Sequence, residues 1–370
     1  MGIIRTVLPP LFALAVVVTS AATQAVPRTD TPRAGTLRVT FEPVITTWER
    51  EFTGDGHQQR IGASLPTTVY VRKEQRITPL GLDFGITNRI SIGARFPIVR
   101  VHTRESYPLD SAGEAPLDTA GVRALRDLLQ DTTYAFDTIG STPRHLNYFP
   151  GDVEVEAKYR LIESHTFALS GALIVRLPTG HQDSPNDLFD IPTGDHQTDL
   201  ELRVAQELTL FNRLWLNGSV RLVRQRAGER ERRVGPQDSL LLPHAALARL
   251  AWDPGDYAAF DVAPMYRFAK TFAVGFTAGY YSRQRDRYTY RSAQDSIDVA
   301  TNLGAPISAS VLDAGTAFRW TRLGAAVTYV APGLEGSLSI EQTVTGASGG
   351  GLVPVATVFR IVMRTSRWPF

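Results

Sequence analysis

Residues 153–161 read VEVEAKYRL, with an apolar side chain at every odd position (Val153, Val155, Ala157, Tyr159, Leu161) and a charge at every even one (Glu154, Glu156, Lys158, Arg160). Successive side chains of a strand point to opposite faces, so this strand separates an environment that takes only apolar atoms from one that takes unbroken charge. The core of a soluble sandwich could supply the first environment, but sandwich strands run about five to six residues. Nine residues of alternation approach the roughly 9–11 that cross a bilayer at a tilt.

The pattern recurs. Leu80, Leu82, Phe84 and Ile86 alternate with polar or small residues, and after Asn88 and Arg89 the period resumes at Ile90, Ile92, Ala94, Phe96 and Ile98, the mark of a tight hairpin. Further hairpins are expected with turns at 162–165, 211–213 and 269–270, and a last one with its turn near Thr321 and Arg322. In that reading Pro332 and Gly333 interrupt one long bulged strand, and 238–252 is either strand or loop. Longer polar segments lie between the hairpins, at 54–64, 107–149, 180–197, 226–256, 291–309 and 345–352. Short turns at one end and long loops at the other match the periplasmic and external ends of outer-membrane barrels. With a first strand from Gly35 and a last one from Val353, the chain is expected to form an all-β, antiparallel transmembrane β-barrel of about twelve strands, roughly 10–14.

Turn positions set the register. Ile86 opposite Ile90 leaves Asp83 diagonal to Arg95; Leu161 opposite Phe167 sets Asp152 against Arg176; Arg203 falls opposite Arg221, with Glu201 and Glu207 flanking it. The outward residues would meet hydrocarbon, where every backbone group must be bonded inside a closed sheet, and the charged residues a wet lumen. Tyr159, Phe167, Phe211, Tyr266, Phe268, Phe272, Trp320 and Trp368 sit near the short turns, as an interfacial girdle would.

The front of the chain agrees with export. Arg5, the apolar stretch from Val7 to Val18 and small residues at Ala22 and Ala25 have the three parts of a signal peptide, expected over 1–25. A short periplasmic segment, 26–34, would follow, with the barrel from 35 to 370. Those few residues are too short for the plug domain of an energy-coupled receptor, so occlusion is expected to come from loops. The chain has no cysteine, which excludes disulfides and a lipidated cysteine, and a net charge of +2 gives no argument for nucleic acid.

The C-terminus, VFRIVMRTSRWPF, ends in Phe370, which looks like the signal read by the barrel-assembly machinery. The runs GDVEVEAKYRL, ALIVRLPTGHQD and TDLELRVAQEL, with EQTVTGASGGGLVP near the end, resemble the outer-membrane family of MetA-pathway of phenol degradation proteins, grouped with FadL-like and porin-like channels. The resemblance spans roughly 150 to 225 and 335 to 365, and its motifs are strand and turn punctuation. It implies a barrel and a passive transporter, and it does not identify a substrate.

The lumen-facing candidates are Asp83, Arg95, Asp152, Glu154, Glu156, Lys158, Arg160, Arg176, Glu201, Arg203, Arg221, Arg267, Arg319 and Glu341, together with Arg38, Glu42, Asp199, Glu207, Asp261, Asp313, Arg360 and Arg364. Their signs are mixed, unlike the single-sign rings of ion-selective pores. Two readings stay open: a polar pore passing small solutes, hydrophobic ones among the candidates, or a structural or surface-interaction barrel closed by salt bridges. Arg283, Arg285 and Arg287 continue an inward series, and such a basic mouth would attract anionic solutes or lipopolysaccharide phosphates; a solvated strand extension is the plainer reading.

LDTAGVRALRDLLQD, 117–131, carries Asp118 as an N-cap with Val122, Leu125, Leu128 and Leu129 at helical spacing, and a helix is expected there in an external loop. Asp183, Asp187, Asp190, Asp195, His181 and His196 share one loop, but their spacing matches no defined calcium loop, so no metal or other cofactor is expected. No histidine pairs with a serine in a hydrolase arrangement, so no enzyme is expected. The expected partners are outer-membrane lipid and lipopolysaccharide, the assembly machinery through Phe370, and a small solute.

Overall fold

The computed structural model describes residues 28–365, except 64–66, 112, 114–115, 136–148, 183, 187–191, 236–240 and 350. The signal-peptide and Phe370 assignments, like Trp368 of the girdle, lie outside the described residues.

Twelve antiparallel strands form one sheet. They are β1 (Leu37–Phe41 and Val44–Trp48, interrupted at Glu42 and Pro43), β2 (Tyr70–Gly85), β3 (Ile90–Ser106), β4 (Val153–Glu163), β5 (Phe167–Leu177), β6 (Asp199–Leu210), β7 (Leu214–Gln225), β8 (Tyr257–Arg267), β9 (Phe272–Arg283), β10 (Phe318–Ala331), β11 (Leu334–Ser348) and β12 (Thr357–Thr365). Each pairs with its sequence neighbours, and β1 also pairs with β12, Val39 opposite Thr365 and Val44 opposite Arg360. The sheet is therefore closed, which leaves no unpaired edge to face lipid.

Along the alternating strands one face is apolar and exposed: Leu80, Ile92, Phe96, Ile98, Val155, Leu173, Leu202, Phe260 and Val262 among others, with Phe276 74% exposed. So much exposed apolar surface on one band is the signature of hydrocarbon contact rather than water. The other face, with Arg176, Asp199, Glu201, Arg221 and Arg360 buried, lines the interior.

The expected turns hold for three hairpins, and the one expected at 162–165 lies at 164–166, since Ile162 and Glu163 still pair with Leu169 and Ala168. The tip at Phe211 and Asn212 takes positive φ (52° and 54°), the handedness that matches strand twist in a tight hairpin. The fifth differs. Phe318–Ala331 is one continuous strand, with Val344 of β11 bulged opposite the Thr321–Arg322 step, and the chain reverses at Pro332 and Gly333, where Gly333 has φ +76°. Proline and glycine are the turn formers, whereas Thr321 and Arg322 stay paired within the strand. The strand total is unchanged because β11 and β12 replace the second half of the expected hairpin and the last strand.

The external end carries two small three-stranded sheets. One joins Gly228–Arg233, Leu247–Asp253 and Arg287–Tyr290, so the undecided segment 238–252 ends in a strand, though outside the barrel. With helix α2 (Ala293–Leu303) it encloses Val234, Leu250, Trp252, Tyr288 and Val299. The other joins Arg50–Phe52, Gln58–Arg60 and Val353–Pro354. Helix α1 (Thr119–Gln130) is capped by Asp118, whose side chain accepts from the Gly121 N–H at 2.8 Å, and Leu125 packs with Trp48, Ile61, Val69 and Val71.

Candidate functional site: the lumen

A web of opposite charges set by register climbs the lumen wall from β3 to the external rim at β7. Arg95, Glu154, Arg176, Asp199 and Gln225 stand directly opposite one another across β3 to β7. Arg176 is its centre: it donates to Glu154 at 3.0 Å and to Asp199 at 2.6 Å, and Glu201 lies at 4.0 Å. One strand level nearer the short turns, Arg203 holds Glu201 (2.6 Å) and Glu156 (3.2 Å), and Arg221 holds Asp261 (3.3 Å). Arg203 and Arg221 do stand opposite each other, a like-charge pair relieved by these flanking carboxylates. Arg360 meets Glu42 at 3.6 Å next to the seam.

Asp83 lies opposite Gly93 and Gly81 opposite Arg95, as the tight turn implies. The Asp152–Arg176 pairing does not form. The strands pair closer to the turn than expected, Glu163 opposite Ala168, and Leu161 is bulged out of the β4–β5 ladder; together these set Glu154 against Arg176. Asp152 instead accepts from the Gly180 N–H (2.8 Å) and the Asp195 N–H (3.3 Å), tying loop 178–198 to the barrel rim. Asp195 thus serves as an anchor, while Asp183, Asp187 and Asp190 lie outside the described residues.

Lys158 donates to the Arg28 carbonyl, Arg160 pairs with Glu163 near the short turns at 2.7 Å, Arg267 stacks on Trp215 at 4.3 Å, and Glu341 stands opposite Gly324 and Val358. Arg319 is a correction: it is exposed, opposite Ser282 and Ala347, because β10 runs on without a turn, so Arg319 is outward in phase with Leu323 while Trp320 and Arg322 take the inward places. Asp313 is also outside the lumen, in a loop where it accepts from the Tyr288 N–H.

The basic ladder at the mouth does not form either. Arg283 is buried against Asp286 at 2.9 Å, Arg285 donates to the Asp313 carbonyl, and Arg287 opens a strand of the external sheet. The barrel strand ends at Arg283, so the alternation connecting the three is broken.

Two features had no sequence signal. The first is the N-terminal segment, which lacks any periodicity. Residues 28–32 enter the lumen from the short-turn end: Arg28 pairs with Glu207 (3.0 Å) and Glu335 (3.3 Å), Asp30 with Arg38 (2.6 Å), the Thr29 N–H donates to Glu207 (2.8 Å), and Thr31 bonds the Asn88 carbonyl. Occlusion at this end therefore comes from the segment expected to lie free in the periplasm rather than from loops. Beside it remains a polar cavity of about 50 Å³, lined by Arg38, Glu42, Asp83, Glu156, Lys158 and Arg203, with room for a few waters.

The second is aromatic. Toward the external end Tyr257, Tyr281 and Trp320 point inward, with Tyr281 and Trp320 stacked at 5.3 Å, and Phe52 and Val353 reach in from their loops. Trp320 thus belongs to the lumen rather than to the interfacial girdle. The Arg176 guanidinium donates to the Tyr257 hydroxyl at 3.3 Å, which joins the two layers.

A closed antiparallel barrel, apolar outside and charged within, defines an outer-membrane β-barrel, and the cell outer membrane is where it resides. The chain superposes on the COG4313 outer membrane channel from Pseudomonas putida F1 with a TM-score of 0.58, at 9% identity, over 93% of this chain and 100% of that one. The transport unit of the autotransporter AIDA-I from Escherichia coli (TM-score 0.43, 9% identity, 95% and 96% covered) and a deltaS2 mutant of the TodX monoaromatic hydrocarbon channel (0.41, 8%, 90% and 90%) overlap too loosely to bear on function. No protein-family model and no curated protein matches the chain. At such identity the likeness concerns the fold.

Proposed function

We propose that the protein is an outer-membrane channel passing small solutes, hydrophobic ones among them, passively through its lumen, and that the conformation described is its closed state. One observation carries this reading: the short-turn end of the lumen is filled by the N-terminal segment 28–32, held by a handful of polar contacts and not part of the wall, beside a polar cavity. The aromatic layer above offers ring faces on which apolar solutes can rest. The reading is the one implied by the resemblance to the MetA-pathway and FadL-like group, and it makes the protein a transporter rather than an enzyme.

A structural barrel with a permanently closed lumen is favoured by a different observation. The contacts of Arg176 with Glu154, Asp199 and Glu201 are all made within the wall and do not depend on the chain end. Planar-bilayer recording separates the two. The full chain is expected to conduct rarely, and a variant lacking residues 28–33 to show sustained steps of conductance. Silence from both proteins would establish the closed scaffold.

A further inference from the structure

Arg28 spans the lumen. Its Nε faces the Glu207 carboxylate at 3.0 Å, and its Nη1 donates to Glu335 at 3.3 Å. Glu207 stands on β6 and Glu335 on β11, five places apart in a closed ring of twelve strands, so the two carboxylates reach one guanidinium group from nearly opposite walls. Both lie at the short-turn end, Glu207 shortly before β6 closes at Leu210 and Glu335 just after β11 opens at Leu334.

The wall alone does not account for this pair. Elsewhere in the barrel, charges are matched by register between adjacent strands, a device that cannot join strands so far apart. Glu207 stands opposite Ala168 and Asn217, and among the described residues no cation besides Arg28 lies within ion-pair distance of it. Glu335 has Arg364 as well, at 3.6 Å. Without Arg28 the seat would hold two carboxylates and one cation, converging on a point that like charges avoid.

The occupant shows what such a seat takes. A guanidinium group is planar and carries N–H donors on separate edges, so it meets two carboxylates at once, whereas an ammonium group is a single strongly hydrated point of charge. The segment also gives Glu207 the Thr29 N–H (2.8 Å) and lends Lys158 the Arg28 carbonyl (2.6 Å), contacts that depart with it.

We propose that the seat of Arg28, between Glu207 and Glu335, is a binding site for the guanidinium group of a solute, and that the N-terminal segment closes the lumen by occupying it. The site rests on the channel reading above, because a solute reaches it only when residues 28–32 withdraw.

The test is isothermal titration calorimetry of ethylguanidinium into the full-length folded protein in detergent, with Arg28→Ala emptying the seat. Saturable binding is expected for Arg28→Ala, none for the unaltered protein, and binding about tenfold weaker once E207Q is added, the worth of one charge-assisted contact. Heat-modifiable gel migration checks folding; should Arg28→Ala not fold, the variant lacking residues 28–33 is titrated in its place, with and without E207Q. No binding to the folded variant, or equal binding by the unaltered protein or with E207Q, would overturn the site. Equal affinity for ethylammonium would overturn its assignment to guanidinium. Conductance is read separately: a variant that binds ethylguanidinium yet stays silent in the planar bilayer keeps the site and loses the channel, and one that conducts without binding keeps the channel and loses the site.

Discussion

The two halves of the barrel wall fill the lumen by opposite means. Along β3 to β7, opposite charges from adjacent strands meet through ladder register, from Arg203 up to Arg176 near the external rim, and at the short turns the N-terminal segment adds Arg28 and Asp30. Near the external end, aromatic rings from β8, β9 and β10 stack with Phe52 and Val353 from distant loops. A charged filling depends on each group finding its partner, so removing one member leaves others stranded in a dry site. An aromatic filling depends on area and shape, and removing one ring leaves a hole that the rest can partly close.

That contrast can be tested in order of expected effect. Arg176→Leu leaves Asp199 without its guanidinium partner and Glu154 with only the distant Arg95, and is expected to cost about 3–5 kcal/mol, measured as a lowered midpoint of urea unfolding in lipid vesicles. Trp320→Ala removes the stack on Tyr281 and the ring beneath Arg322, at about 3 kcal/mol. A larger loss for Trp320→Ala than for Arg176→Leu would reverse the proposed ranking of the two halves.

The smallest effect is local and lies outside the barrel wall. Hydrogen bonds from the Gly121 N–H and then from Thr67 hold Asp118 below the usual carboxylate range. A depressed folded value means that the cap acts fully above about pH 4, where the unfolded chain titrates, and is lost as pH falls through the folded value. Hydrogen exchange at Gly121 and Val122 is expected to quicken in Asp118→Ala at neutral pH, and in the unaltered protein only under strong acid. Stacking at Tyr281, followed by fluorescence, is expected to be indifferent to both changes.

Period and turn chemistry made the barrel legible, and the same two signals explain where reading stopped. Asp83 was placed correctly because the turn at 86–89 is tight and the register follows from it. Asp152 reads as the partner of Arg176 because Ile162 and Glu163 look like turn residues, whereas they still pair with Leu169 and Ala168, and the bulge at Leu161 carries no mark in the alternation. Arg319 was turned inward because Thr321–Arg322 resembles a turn while Pro332–Gly333, the real one, resembles an interruption. Arg283, Arg285 and Arg287 keep an alternating spacing that the chain abandons when it leaves one sheet for another. The aromatic layer and the inserted N-terminal segment arise from contacts between residues far apart in sequence, to which no local pattern is sensitive.

The pairing of Val39 with Thr365 has a consequence for how the molecule comes into being. Every other neighbouring pair of strands is consecutive along the chain, so its making needs only local encounters, whereas this last joint unites segments more than 300 residues apart. Until both have arrived, two rows of unbonded amides border the membrane interior, where nothing can solvate them. The ring has no stable fraction: a ribosome product cut short by one strand is expected to be degraded rather than inserted.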